Sequence, residues 1–103
     1  MVIDVNNDNI DEVLNEKLTL LQFSADWCGP CRSLTPKVLE ISESNSDVAV
    51  GKVNVESAGE IASKFKIRNI PVLIYFKDGV EVSRVVGNTG IGDIQSQIDE
   101  LKK

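Results

Sequence analysis

The chain predicts an α/β fold, a mixed five-stranded sheet with helices on both faces. Three observations carry this. Apolar runs of strand length alternate with stretches of helical periodicity from the N-terminus onward. Asp78-Gly79 then lies between two β-rich runs, the signature of an antiparallel hairpin. Ile91, Ile94, Ile98 and Leu101 step by three, four and three, so the chain ends in an amphipathic helix. Strands that alternate with helices pair in parallel through right-handed crossovers, and the hairpin adds antiparallel strands. The predicted order is βαβαβα, then ββ and α.

Taken in order, Val2-Ile3-Asp4-Val5 is a short strand candidate. Asn9-Ile10-Asp11-Glu12 reads as a capping box, and Ile10, Val13 and Leu14 give that first helix an apolar face. Leu18 to Phe23 is an apolar run suited to a central strand covered on both faces. Leu34, Val38 and Ile41 mark a helix reaching about Asn45, which Pro36 should kink because it lacks an N–H and crowds the preceding turn. Val48 to Val55 is the next strand. Ser57-Ala58-Gly59-Glu60 reads as a second capping box, opening a helix with Ile61, Ala62 and Phe65 on its buried side. Val72 to Phe76 and Val80 to Val86 form the hairpin arms. No repeat, linker or low-complexity segment divides residues 1–103, so the chain is expected to be a single domain.

The net charge of −5 argues against nucleic acid or an anionic membrane as the main partner, since both attract basic surfaces. No apolar run approaches the roughly 20 residues that span a bilayer. The N-terminus shows neither a basic n-region nor a long apolar h-region. That favours the cytoplasm, although a mature secreted protein restarted at a new Met would look the same.

The chemistry concentrates in Trp27-Cys28-Gly29-Pro30-Cys31, which holds the only two cysteines. A Cys-x-x-Cys where a strand hands over to a helix can open and close a disulfide with little backbone movement. Closing so short a loop adds only about 2 kcal/mol in the chain-entropy model, so the pair suits chemistry better than scaffolding. Cys28 is expected at the helix entry, where unpaired N–H groups and the positive dipole end lower its thiol pKa. Pro30 suits the first helical turn, and Gly29 lets the backbone turn closely and keeps the sulfur uncovered. Cys28 would attack a substrate disulfide, and Cys31, one turn deeper, would release the reduced substrate. A zinc half-site needs two further soft or imidazole ligands, and the chain has no His and no other Cys. Two spectator thiols are the remaining plain alternative. No metal or separate cofactor is called for beyond a redox-active Cys28–Cys31 disulfide.

The sequence closely resembles the thioredoxin family over essentially its whole length. The likeness rests on element order, Trp27-Cys28-Gly29-Pro30-Cys31, Pro36, Ile67-Arg68-Asn69-Ile70-Pro71, the Lys77-Asp78-Gly79 hairpin and Val86-Gly87. It implies the thioredoxin fold, a five-stranded mixed sheet flanked by four helices. It also implies a dithiol reductant of client-protein disulfides, recharged by an NADPH-dependent, flavin-containing thioredoxin reductase and acting as a monomer. By position, Cys28 would be the nucleophile and Cys31 the resolving thiol, with Trp27 shielding the pair and contacting substrate. Pro71 would be the family's cis-proline, a bond cis in only about 5–6% of X-Pro cases, against the alternative of an ordinary strand start. Ile70 would offer backbone hydrogen bonds to an extended substrate, and Gly87 would complete the contact surface.

The chain departs from the family pattern at several positions. Gln22 stands six residues before Cys28, where a buried aspartate that takes the resolving thiol's proton is usual. Gln22 cannot titrate, but it can hold a water or hydrogen-bond the neighbouring strand. Lys52, normally close to that carboxylate, would reach solvent or bond Gln22. Asp26 is not a substitute, falling where the family leaves a residue exposed. Ser24 replaces a common second tryptophan, Val72 a threonine and Asn88 a small apolar residue. Gly-Pro between the cysteines marks reducing members, whereas oxidising relatives usually place a histidine there. The competing functions are an extracytoplasmic thioredoxin-like reductase or isomerase, and a non-catalytic docking subunit.

Overall fold

The computed structural model describes residues Met1–Lys103. Its elements are β1 (Val2–Asp4), α1 (Ile10–Leu14), β2 (Leu18–Ser24), α2 (Gly29–Ser44), β3 (Ala49–Asn54), α3 (Gly59–Lys64), β4 (Val72–Lys77), β5 (Val80–Val86) and α4 (Ile91–Leu101). The strands form one five-stranded sheet in the order β1-β3-β2-β4-β5. β1 and β2 flank β3 in parallel, and β4 pairs antiparallel with both β2 and β5. The predicted element order and mixed sheet are both present.

Every residue of β2 is buried, as expected of a largely apolar central strand, and Thr19, Gln22 and Ser24 are buried with it. Its alternate side chains feed two cores. Leu21 and Phe23 pack with Val13, Ile61 and Phe76 on the α1/α3 face. Leu18 and Leu20 pack with Leu34, Val38, Ile41, Ile94 and Ile98 on the α2/α4 face. Phe65 stands edge-on to both Phe23 and Phe76, with ring centroids 6.0 and 5.4 Å away. The helices therefore hold the sheet from both sides through the residues whose spacing announced them.

The β4–β5 turn is the two-residue hairpin expected of Asp78-Gly79. Both residues have positive φ, 53° and 81°, which matches the right-handed twist of the flanking strands. A bulge between Tyr75 and Phe76 shifts the register along this pair.

Two local expectations are corrected. Neither capping box forms. Asn9 sits at the N-cap of α1, but its side chain does not bond the helix; its Oδ1 accepts from the Asn6 N–H and its Nδ2 donates to the Asp4 carbonyl. Asn6 instead closes the turn, its Oδ1 accepting from the N–H groups of Asp8 and Asn9. At α3 the N-cap is Ala58 rather than Ser57, and Asn54 Oδ1 takes the Glu56 and Ser57 N–H groups. In both places an asparagine at a strand's C-terminal end organises the backbone before a helix can claim it. α2 runs unbroken from Gly29 to Ser44 with Pro36 inside it.

Candidate active site

The parallel strands β1, β3 and β2 all end at one edge of the sheet, and the turn from β2 into α2 begins there. Cys28 is the N-cap of α2, in extended backbone conformation, with Gly29 and Pro30 opening the helix as expected. Cys28 and Cys31 are joined by a disulfide. The Cys31 N–H donates to Cys28 Sγ at 3.2 Å, so one of the helix's unpaired donors already points at that sulfur. Negative charge on Cys28 would meet the same donor and the positive end of the α2 dipole.

The expected contrast in exposure between the two cysteines is small in this oxidised form. Cys28 is 5% exposed and Cys31 2%. Trp27, by contrast, is 65% exposed on the adjoining loop. Two donors brace that loop. The Cys28 N–H reaches the Ala25 carbonyl, and Arg32 donates to the Asp26 carbonyl through Nε at 3.2 Å and Nη2 at 2.9 Å.

Two further segments are brought toward this edge. The Ile70–Pro71 peptide bond is cis, as the family resemblance implied, and leads directly into β4. Pro71 does not begin an edge strand: β4 lies between β2 and β5. At the far end of the hairpin, Gly87 has φ 98° and its N–H donates to the Pro71 carbonyl at 2.8 Å. Ile70 and Gly87 are half-buried and Pro71 is buried.

Gln22 does not make the hydrogen bond to the neighbouring strand that the sequence allowed. Its side chain is 1% exposed and bonds α2, not the neighbouring strand. Nε2 donates to Thr35 Oγ1 at 3.2 Å and lies 3.5 Å from the Cys31 carbonyl, to which Thr35 Oγ1 also donates at 2.9 Å. Gln22 and Lys52 are register partners on adjacent strands, yet no hydrogen bond or ion pair joins them. Lys52 takes the other expected course. It lines a polar depression of about 370 Å³ with Asp4, Asn6, Asp26, Asn54 and Ser57. Ser24, at the position where a tryptophan is common, is buried, and its hydroxyl finds no partner.

Thr35 and Arg32 were not singled out from the sequence. Thr35 falls four residues after Cys31, the spacing at which a helical threonine bonds back to a carbonyl, so that signal was available. Arg32 offered none, because its acceptor is a main-chain oxygen.

A Cys-x-x-Cys disulfide at a helix N-terminus, on a mixed sheet that also carries a cis-proline at the start of β4, defines a thiol–disulfide oxidoreductase. Comparison with known proteins narrows the class. The thioredoxin family model matches residues 1–100. Thioredoxin of Chlamydia pneumoniae is 41% identical over 87 residues, covering 84% of this chain and 85% of the relative. A mutant thioredoxin from Halobacterium salinarum NRC-1 superimposes with a TM-score of 0.89 at 32% identity, covering 99% of this chain and 90% of the other. Thioredoxin of Malassezia sympodialis gives the same score at 29% identity, covering 100% and 92%. The chain belongs to the thioredoxin family, with its fold and a disulfide reductase's Cys-x-x-Cys active site. No helix is long and apolar enough to cross a membrane.

Proposed function

We propose that this chain reduces disulfides of client proteins with Cys28 as attacking thiolate and Cys31 as resolving thiol. In the reduced protein, Cys28 Sγ⁻ attacks one sulfur of a client disulfide. A Cys28–client bond forms, and the other client sulfur leaves as thiolate. Cys31 then gives up its proton and attacks Cys28 Sγ. This closes the Cys28–Cys31 disulfide and expels the second client thiolate. An NADPH-dependent thioredoxin reductase returns two electrons to the pair, a partner that family membership implies. The family's usual setting makes this a cytoplasmic reaction.

The single observation behind the assignment is the N-cap geometry of Cys28. Its sulfur faces the Cys31 N–H, so the anion formed when the Cys28 thiol ionises is met by a donor already in place. Gly29 and Pro30 support that turn. Trp27, Ile70, Pro71 and Gly87 form the docking surface, on which an extended client segment lies across the Pro71 edge and bonds the Ile70 backbone. Gln22 supports the resolving step without titrating, because an amide cannot take the Cys31 proton. Lys52 keeps only a distant, solvent-screened influence.

Insulin reduction coupled to NADPH through a thioredoxin reductase tests the assignment. Cys28→Ser should abolish turnover, and Cys31→Ser should accumulate mixed disulfides with the client. No insulin reduction by the parent, with partner docking that survives both changes, would make the chain a docking module rather than a reductase.

A further inference from the structure

We infer that Lys37 is a positioning residue for protein clients: it ties α2 to the loop after Gly87 and so sets one wall of the docking surface. The inference rests on the reading above that Gly87 belongs to that surface.

Residues 87–90 carry no helix or strand. The Gly87 N–H is fixed to the Pro71 carbonyl, and the Gly90 carbonyl accepts from the Ile94 N–H at 3.1 Å. Between these anchors Asn88 and Thr89 make no backbone–backbone hydrogen bond. Their polar contacts come from one side chain. Lys37 Nζ donates to Asn88 Oδ1 at 3.1 Å and to the Thr89 carbonyl at 3.1 Å, across 51 and 52 residues of sequence. Lys37 is half-buried and joins no carboxylate, although the chain carries 16. A half-buried ammonium that donates to two neutral oxygens holds those oxygens in place in return.

The tie also has a direction. Lys37 sits on the helix that begins at Cys28, so the contact sets the distance between the disulfide and the wall beyond Gly87. Loss of the tie would leave both sulfurs where they are, at the far end of α2, and would loosen only the wall. The consequence falls on client docking rather than on sulfur exchange. Asn88, which stands where a small apolar residue is usual in the family, is the partner that makes the tie possible.

Steady-state kinetics with two oxidants test this: insulin, which must dock, and hydroxyethyl disulfide, which is neutral and too small to reach the wall. Lys37→Met should raise KM for insulin about fivefold, with kcat within about twofold of the parent and the hydroxyethyl disulfide rate unchanged. Asn88→Ala should raise the same KM by a smaller factor. The double variant should be no worse than Lys37→Met alone, since both act through one contact. Fully additive effects would assign the change to diffuse charge and overturn the inference. So would an unchanged insulin KM, or a parallel loss with the small disulfide. A parent chain that reduced neither oxidant would remove the reductase assignment itself, and this inference with it.

Discussion

Gln22 Nε2 and Thr35 Oγ1 lie 3.2 Å apart in the buried layer between β2 and α2, and the Thr35 hydroxyl passes the contact on to the Cys31 carbonyl at 2.9 Å. The amide donates toward the helix and binds a neighbour of Cys31 without any group that titrates. Gln22→Asp would place a carboxylate in a site that is 1% exposed. Burial disfavours its charged form, so its folded pKa would stand above the unfolded value of about 3.9. The sign follows. The variant's stability is fully retained below the unfolded pKa and lost as pH rises through the folded one. At neutral pH the loss should be about 1–3 kcal/mol by urea unfolding. The rate of insulin reduction should gain an ionisation step absent from the parent. Identical stability and identical pH–rate profiles would show that residue 22 does not govern the resolving proton.

Arg32 should govern the mobility of Trp27 without governing stability. Its guanidinium is exposed and spans the Asp26 carbonyl with two donors, one residue from the indole. Contacts at so open a site contribute little to folding, so Arg32→Ala should change unfolding free energy by less than about 1 kcal/mol. Trp27 is the sole tryptophan, so its fluorescence anisotropy reports the loop alone. The anisotropy should fall in the variant. An unchanged value would mean that the Ala25–Cys28 turn holds the loop unaided.

Much of this molecule is legible in its sequence because the strongest signals are periodic or local. The mainly apolar Leu18–Phe23 run announced a central strand, and Asp78-Gly79 announced a turn that needs two positive φ angles. Cys28 at a strand–helix junction announced an N-cap. What stayed hidden depends on partners distant in sequence or on main-chain acceptors. At the expected capping boxes, Asn6 and Asn54 take the N–H groups of Asn9 and Ser57 that Glu12 and Glu60 would have bonded. The orientation of Gln22 depends on Thr35, and the value of Asn88 depends on Lys37, 51 residues away. Local patterning carries no information about such pairs.

Tyr75 should make the fold sensitive to alkali. It is 2% exposed, and burial, with a smaller contribution from the negative charge of Asp93, pushes its phenol up to about 12. A raised folded pKa means stability that is fully present below the unfolded value near 10 and lost as pH climbs toward 12. At about 1.36 kcal/mol per unit, the loss reaches about 2 kcal/mol. The Tyr75 hydroxyl donates no side-chain hydrogen bond, so Tyr75→Phe should be close to neutral at pH 7. Between pH 10 and 12 the variant should unfold at higher urea concentration than the parent. Parallel loss in both proteins across that range would place the alkaline transition on other groups.

Gly51 should tolerate no side chain at all. It lies on β3 between β1 and β2, paired with Ile3 on one side and Leu21 on the other. A Cβ built there would meet Val5 Cγ2 at 2.5 Å and Leu21 Cδ2 at 2.9 Å, both closer than carbon atoms can approach without movement. Neither neighbour yields easily: Val5 is β-branched and stiff at χ1, and Leu21 is 0% exposed in the close-packed α1/α3 core. Its backbone does not need a glycine, because φ lies outside the left-handed region, so Ala would gain about 0.4–1 kcal/mol through the unfolded chain. Overpacking costs about 1–3 kcal/mol and outweighs that gain. Gly51→Ala should therefore lower the urea midpoint by a net of about 1–2 kcal/mol at unchanged m-value. Adding Val5→Ala removes the nearest obstacle, and the double variant should lose less than the sum of its two single changes. Additive losses would show that the strain sits against Leu21 or the backbone instead of Val5.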